Sequence, residues 1–199
     1  MMTRLARIAS SAAVVALAMT AGLALPASAD DYTIDSKGAH ASINFRVKHL
    51  GFSWLTGRFN TFTGTFAYDA AAPEKSSVKV DIDTASVDSN HAERDKHLRS
   101  PDFLDVAKYP KASFVSKSVT PKAEGKATIV GDLTLRGVTK EVAIEAEPVG
   151  SGADPWGGFR QGFQGTTVLK LADFGIPKNL GPASKEVELT LHVEGVKVN

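Results

Sequence analysis

Apolar and polar residues alternate along most of this chain from His40 onward. In HASINFRVKH, Ile43, Phe45 and Val47 share one face and Asn44, Arg46 and Lys48 the other. TFTGTFAYD sets Phe62, Phe66 and Tyr68 against Thr61, Thr63 and Thr65, and SVKVDIDT sets Val78, Val80 and Ile82 against Lys79, Asp81 and Asp83. The runs ASFVSKSV, ATIVGDLTLRG, EVAIEAEPV, QGTTVLKLADFGI and KEVELTLHVEGV follow, the last with Val187, Leu189, Leu191 and Val193 on one side. A period of two puts successive side chains on opposite faces of a strand, so each run predicts a strand with one buried and one wet face. Turn-forming clusters separate the runs at 69–75, 122–125, 136–137, 150–158 and 178–182. About eight strands at short spacing predict an antiparallel barrel or sandwich, not β-α-β units.

Two stretches break the alternation. NHAERDKHLRSPDFLD, residues 90–105, is the most charged part of the chain. Asn90 with Glu93 three residues on has the form of a capping box, and Pro101 disfavours helical geometry at Ser100, so the spacing predicts a helix over 90–100. On that helix His91, Arg94, Asp95 and Leu98 share one side. Two readings of it stand open. It is a solvated helix crossing one end of the barrel and held by its own ion pairs. Or His91, Arg94, Asp95 and Arg99 close the mouth of a cavity and meet a polar or anionic head, because an arginine fork donates two hydrogen bonds to phosphate oxygens. The second stretch, HLGFSWLTGRF at 49–59, reads as irregular and aromatic-rich.

The start of the chain changes the picture of what folds. Arg4 and Arg7 precede an apolar run, and Ala27-Ser28-Ala29 follows it. These are the parts of a cleavable secretory signal, so cleavage is expected after Ala29, with residues 30–199 as one domain in the periplasm. An uncleaved N-terminal anchor is the weaker alternative, since the run is shorter than the ~20 residues a span needs. Removing two of the 23 Lys+Arg and none of the 22 Asp+Glu leaves a net charge of −1. Such a chain has no overall field for nucleic acid. It has no cysteine, which excludes disulfides and thiolate metal sites.

Catalysis finds little support. There is no G-x-S-x-G elbow, and Asp81 and Asp83 fall on the wet face of a strand. His91 and His97 stand six apart, off the i,i+4 spacing of a helical metal pair. No metal or cofactor is expected.

Several segments together resemble the YceI family of exported lipid-binding proteins: INFRVKHLGFSWLTGRFNTFTGTF, VDSNHAERDKHLRSPDFLDVAKYP, GDLTLRGVTKEV, DPWGGFR and LGPASKEVELTLHVEGV. They occur in order over nearly all of the chain after the leader, and the resemblance is nearest to proteobacterial periplasmic members. It implies an all-β, eight-stranded antiparallel, lipocalin-like barrel with an elongated apolar interior. It also implies a partner, a long-chain isoprenoid such as a polyprenyl phosphate, a polyprenyl pyrophosphate or a respiratory quinone, and no catalysis. On that frame the expected lining is Phe45, Val47, Phe62, Gly64, Phe66, Phe114, Leu133, Leu135 and Leu169. Gly64 is expected to leave space between the rings of Phe62 and Phe66 for a slender chain. The expected mouth comprises the helix residues His91, Arg94, Asp95 and Arg99, with Trp54 and Trp156 in glycine-bearing loops as an amphipathic rim. An enzyme acting on a prenylated substrate, a carrier of other fatty or amidated chains, and a homodimer stay open.

Overall fold

The computed structural model describes residues 29–177 and 180–198, so all but Ala29 of the expected leader lies outside the described residues. The strands, in chain order, are β1 (Asp30–Ile34), β2 (Ser42–His49), β3 (Ser53–Phe59), β4 (Phe62–Tyr68), β5 (Ser77–Asp83), β6 (Val87–Asp88), β7 (Lys111–Pro121), β8 (Ala127–Leu135), β9 (Val138–Ala153), β10 (Phe159–Lys170) and β11 (Glu186–Lys197). Among the described residues one α-helix, α1 (Ala92–Arg99), lies between β6 and β7. Among the described residues no helix is long and apolar enough to cross a membrane.

Antiparallel pairing runs β1-β4-β5-β7-β8-β9-β10-β11 and returns from β11 to β1, which closes an eight-stranded barrel. The long β11 serves two neighbours on one edge: residues 195–197 pair with β1 and residues 187–192 with β2. β2, β3 and β6 extend the sheet from there as an appended flap. The eight strands expected from alternation are therefore met with one exchange. The short β1 takes a place in the ring, and the run with Ile43, Phe45 and Val47 joins β3 in a hairpin attached to it. Two further expectations are corrected. Residues 53–59 form a regular strand, because Lys48 and Arg46 pair in register with Trp54 and Thr56. Residues 150–153 belong to β9, because Gly150 and Ala153 pair with Gly162 and Phe159.

Alternation decides which side chains turn inward. In β4 Thr63 and Thr65 are exposed, as is Thr61 just before it, while Phe62 and Phe66 are buried. β7 shows the rule and its interruption. Ala112 and Phe114 face in, a bulge opposite β8 falls between Ser116 and Ser118, and the inward position then becomes Val119. One extra residue moves the apolar set to the other face. Val115, ahead of the bulge, alternates with Phe114 and faces out, 45% exposed.

Large rings lie across several glycines. A Cβ on Gly131 would collide with the Phe114 ring, one on Gly195 with Phe66, and one on Gly57 with Phe45. Phe66 also stacks on Tyr32 at 4.7 Å between centroids and meets Phe163 edge-on at 5.7 Å. Each buried ring removes enough apolar area from water to contribute about 2–3 kcal/mol.

Candidate functional site

A cavity of about 180 Å³ runs inside the barrel. All eight ring strands contribute to its wall: Ile34, Phe66, Val78, Phe114, Ile129, Ile144, Phe163 and Leu191 stand one for each. A volume this small that touches every strand is narrow and elongated. No Asp, Glu, Lys or Arg lines it among the described residues, and nearly all of its surface is apolar. The lining reaches one end of the barrel at Pro73 and Ser76 in the β4–β5 connection, at Ser77 where β5 begins, and at Gly125 in the β7–β8 turn. Ala127 and Ala146 are directly paired across β8 and β9 at that end, and both line the cavity. Two methyl-sized side chains facing one another keep this end open, and we call it the mouth.

The interior residues expected from sequence separate into two groups. Phe62, Phe66, Phe114, Leu133 and Leu169 line the cavity. Phe45, Val47, Gly64 and Leu135 do not. Phe45 lies over Gly57 and tilts against Phe59, 6.0 Å between centroids, because its strand belongs to the flap. Val47 pairs with Val187 and Leu55 farther along the same flap. Leu135 packs beside the cluster of Phe114, Leu133, Leu169 and Phe174 next to the β8–β9 turn. Gly64 does point inward, but its space is taken. A Cβ there would stand 2.7 Å from Ile34 Cδ1 and 2.7 Å from the Lys79 carbonyl oxygen. The neighbouring strand β1 fills the gap that was expected to hold a lipid chain.

The expected mouth is corrected more thoroughly. None of Trp54, His91, Arg94, Asp95, Arg99 and Trp156 lines the cavity. Helix α1 lies at the other end of the barrel from the mouth, next to β6. It begins one residue later than expected: Asn90 has φ of 62°, and His91 is the cap, its Nδ1 accepting from the Arg94 backbone N–H at 3.3 Å. Asp95 is buried and accepts from the Ser89 backbone N–H at 2.8 Å and from the Ser89 hydroxyl. Arg94 donates through Nε to Ser89 Oγ at 2.7 Å and through Nη2 to the Ser89 carbonyl. Arg99 donates to the carbonyls of Ala85 and Val87, each at 2.7 Å. The forks expected on a phosphate thus hold the turn before the helix onto β6. Behind the helix Phe103 and Leu104 are buried, and the Leu104 N–H returns to the Leu98 carbonyl at 3.0 Å. Trp54 lies on the outer face of β3 with the Arg46 guanidinium 4.3 Å above its ring, in a strand and not a loop. Trp156 sits in the β9–β10 turn, 77% exposed, 5.4 Å from Arg160.

Two features escaped the sequence reading. The first is the cavity contribution of Ile34, Val78, Val80, Ile82, Val119 and Phe163. Val78, Val80 and Ile82 were visible as an apolar face. Phe163 was masked by Gln161, a buried amide in the same inward frame. The second is a charge network around Arg160, which donates to Asp35 at 2.8 Å, Glu194 at 2.5 Å and Asp154 at 3.0 Å. The His40 Nδ1 is 2.9 Å from Asp35. The His40 hydrogen bond, followed by that of Arg160, holds the Asp35 carboxyl down at about 2. Asp35, His40 and Glu194 bring ligand-type atoms within 4.8 Å of one another. The Arg160 guanidinium already supplies the cation there, so the donor set is spent.

Comparison with known proteins places this geometry. A family model described as the YceI-like domain matches residues 32–195. A UPF0312 protein of Ectopseudomonas mendocina is 57% identical over 187 residues, covering 94% of this chain and 96% of its own. A UPF0312 protein of Shewanella sp. strain W3-18-1 is 59% identical over 173 residues, covering 87% and 91%. Among solved structures, the Campylobacter jejuni YCEI protein is 29% identical with a TM-score of 0.69 over 77% of this chain and 91% of its own. Burkholderia cenocepacia BcnA shares the fold at 24% identity, with a TM-score of 0.72 over 81% and 98%. A Saccharophagus degradans domain described as polyisoprenoid binding shares it at 16% identity, with a TM-score of 0.62 over 84% and 98%.

Proposed function

The chain belongs to the YceI-like domain family, and from that premise we propose that it is a non-catalytic lipid carrier of the periplasm. It holds the tail of a long-chain isoprenoid amphiphile, a polyprenyl phosphate or pyrophosphate or an isoprenoid quinone, inside the barrel for transport, storage or sequestration. One observation carries this reading: a slender apolar cavity that takes its wall from all eight strands and, among the described residues, includes no Asp, Glu, Lys or Arg.

The chemistry follows from that wall. Each buried methylene contributes roughly 0.8 kcal/mol, so a tail of several isoprene units gains strongly even after its ordering is subtracted. A cavity without Lys or Arg in its wall gives an ionised head no arginine or lysine partner, and burying an unpaired charge is costly. The head therefore stays at the mouth, among Pro73, Ser76, Ser77 and Gly125, where water reaches it. Phe62, Phe66, Phe114, Leu133 and Leu169 contact the tail in this reading. The leader at 1–29 delivers the chain to the periplasm, and residues 30–199 act as one binding domain.

The test is extraction of the purified protein with organic solvent, followed by mass spectrometry. An unmodified isoprenoid at near-stoichiometric yield is the expected result. A protein that yields no lipid, or one that converts an added isoprenoid to a product, would sink the proposal.

A further inference from the structure

The β2–β3 hairpin has a composition that the barrel does not need. Between Asp35 and Asp69 the chain has no acidic residue but carries Lys37, Arg46, Lys48 and Arg58. The tip exposes apolar side chains: Leu50 is 58% and Phe52 88% exposed, and Trp54 behind them is 41% exposed. Lys48 lies 5.4 Å from the Trp54 ring centroid and has no carboxylate partner among the described residues, whereas Arg46 is paired with Glu188 at 2.6 Å.

The backbone of the tip is as unusual as its surface. Leu50 and Gly51 both have positive φ, 54° and 85°, and the Phe52 N–H returns to the His49 carbonyl at 3.0 Å. A turn whose two central residues both have positive φ favours Asn-Gly, because a leucine in the left-handed region crowds its own backbone. The sequence nevertheless places a leucine there and points it at solvent. The turn is braced from behind. Ser184 Oγ donates to the Lys48 carbonyl at 2.5 Å, and a Cβ on Gly51 would touch Ala183 at 3.7 Å. The tip is held out, not frayed.

We propose that this tip docks the protein on an anionic phospholipid bilayer. Leu50 and Phe52 enter the boundary between headgroups and acyl chains, Trp54 sits at headgroup level, and Lys48 faces the lipid phosphates. Shape and charge favour a membrane over a protein. A convex tip of two apolar residues falls far below the roughly 800 Å² per partner that a stable protein interface buries. A bilayer has no such threshold, and its negative surface complements a hairpin without carboxylates. The tip is at the other end of the barrel from the mouth, so docking leaves the mouth facing water and does not require a filled cavity.

Vesicle flotation with the lipid-loaded protein tests this. Phosphatidylglycerol-rich vesicles should carry the protein up, neutral phosphatidylcholine vesicles much less, and added salt should release it. A Leu50→Asn, Phe52→Ser double variant should partition about tenfold or more weaker, because the inserted apolar area is gone. Leu50→Asn alone should raise the melting temperature, since asparagine tolerates the left-handed backbone. Solvent-extracted lipid per protein should stay the same in the double variant, which separates docking from the carrier function. Absence of binding to the anionic vesicles, equal binding of variant and wild type, or a variant that loses its internal lipid together with its vesicle binding would each overturn the proposal. So would a tip-dependent dimer detected by light scattering.

Discussion

The cavity and the helix end of this barrel differ in where their groups find partners. The cavity wall is built from mostly apolar side chains that face one another across a narrow space, with no Asp, Glu, Lys or Arg among them in the described residues, so a guest can add contacts without displacing any. The helix region is crowded with charge, yet each of its buried or half-buried ionic groups is already bound. Asp95 takes Ser89, Arg94 takes Ser89, and Arg99 takes two carbonyls of the chain that leads into the helix. A dense run of ionisable residues is a site only when its hydrogen-bonding capacity is left over. By that measure the charged helix is a fastening, and the uncharged interior is the binding surface.

The sharpest way to break this comparison is to cut the fastening. Asp95→Ala removes a buried carboxylate that accepts from both the N–H and the hydroxyl of Ser89 and leaves those donors unpaired. It should cost about 3 kcal/mol, as two hydrogen bonds to a charged group are lost. Urea unfolding reads the cost, and solvent extraction at a temperature where the variant is folded should return unchanged lipid. Lost lipid in a folded variant would make the helix part of the binding site.

The converse change belongs at the mouth. Ala146→Trp puts a large ring opposite Ala127, where two small residues now face each other. Lipid occupancy should fall about tenfold or more, roughly 1.4 kcal/mol, while stability stays within ~0.5 kcal/mol because the site is partly exposed. Occupancy measured by mass spectrometry and stability by thermal melting separate the two effects. An unchanged occupancy would place the entrance elsewhere.

How much of this contrast could be read beforehand depends on the range of the interactions. The inward faces were legible because alternation is local: Phe62 and Phe66 on β4, and Leu133 on β8, sit where a period of two puts them. Gly64 misled because its neighbour Ile34 comes from β1, a five-residue strand next to the expected cleavage site and too short for alternation to mark it. Phe45 and Val47 misled because alternation gives a face but not which strand closes the ring. The capping box failed by one residue. Asn90 accommodates the left-handed backbone more readily than most residues, so it forms the bend and leaves the cap to His91. The roles of Arg94 and Arg99 depend on carbonyls five to fourteen residues away along a folded bend, which no periodicity reports.

Acid sharpens the comparison at the mouth end. Asp35 has a folded-state pKa depressed to about 2 by His40 and Arg160. A depressed carboxyl contributes stability above its unfolded pKa, near 4, and loses it as pH falls toward the folded value. On the order of 1–2 kcal/mol should disappear between about pH 4 and pH 2, less after solvent screening. Asp35→Asn should flatten that part of the stability-versus-pH curve. A slope that persists in the variant would assign the acid sensitivity to other carboxylates.

The smallest expected effect separates the two readings of His91 by sign. As a cap, His91 accepts the Arg94 N–H through a ring nitrogen at 3.3 Å, a long bond from a residue that helix starts do not favour. Its backbone is already extended, with φ of −157° and ψ of 109°, the geometry that a short capping side chain needs. Asparagine places its carbonyl oxygen within reach of the same N–H at less cost in side-chain freedom. His91→Asn should therefore stabilise the protein by about 0.5 kcal/mol. The affinities for a polyprenyl phosphate and for a neutral quinone should both stay the same, because the helix end holds no ligand head. Thermal melting and paired titrations read the two quantities. If His91→Asn weakens the phosphorylated ligand alone, the imidazole contacts its head, and the helix rejoins the binding site despite its distance from the mouth.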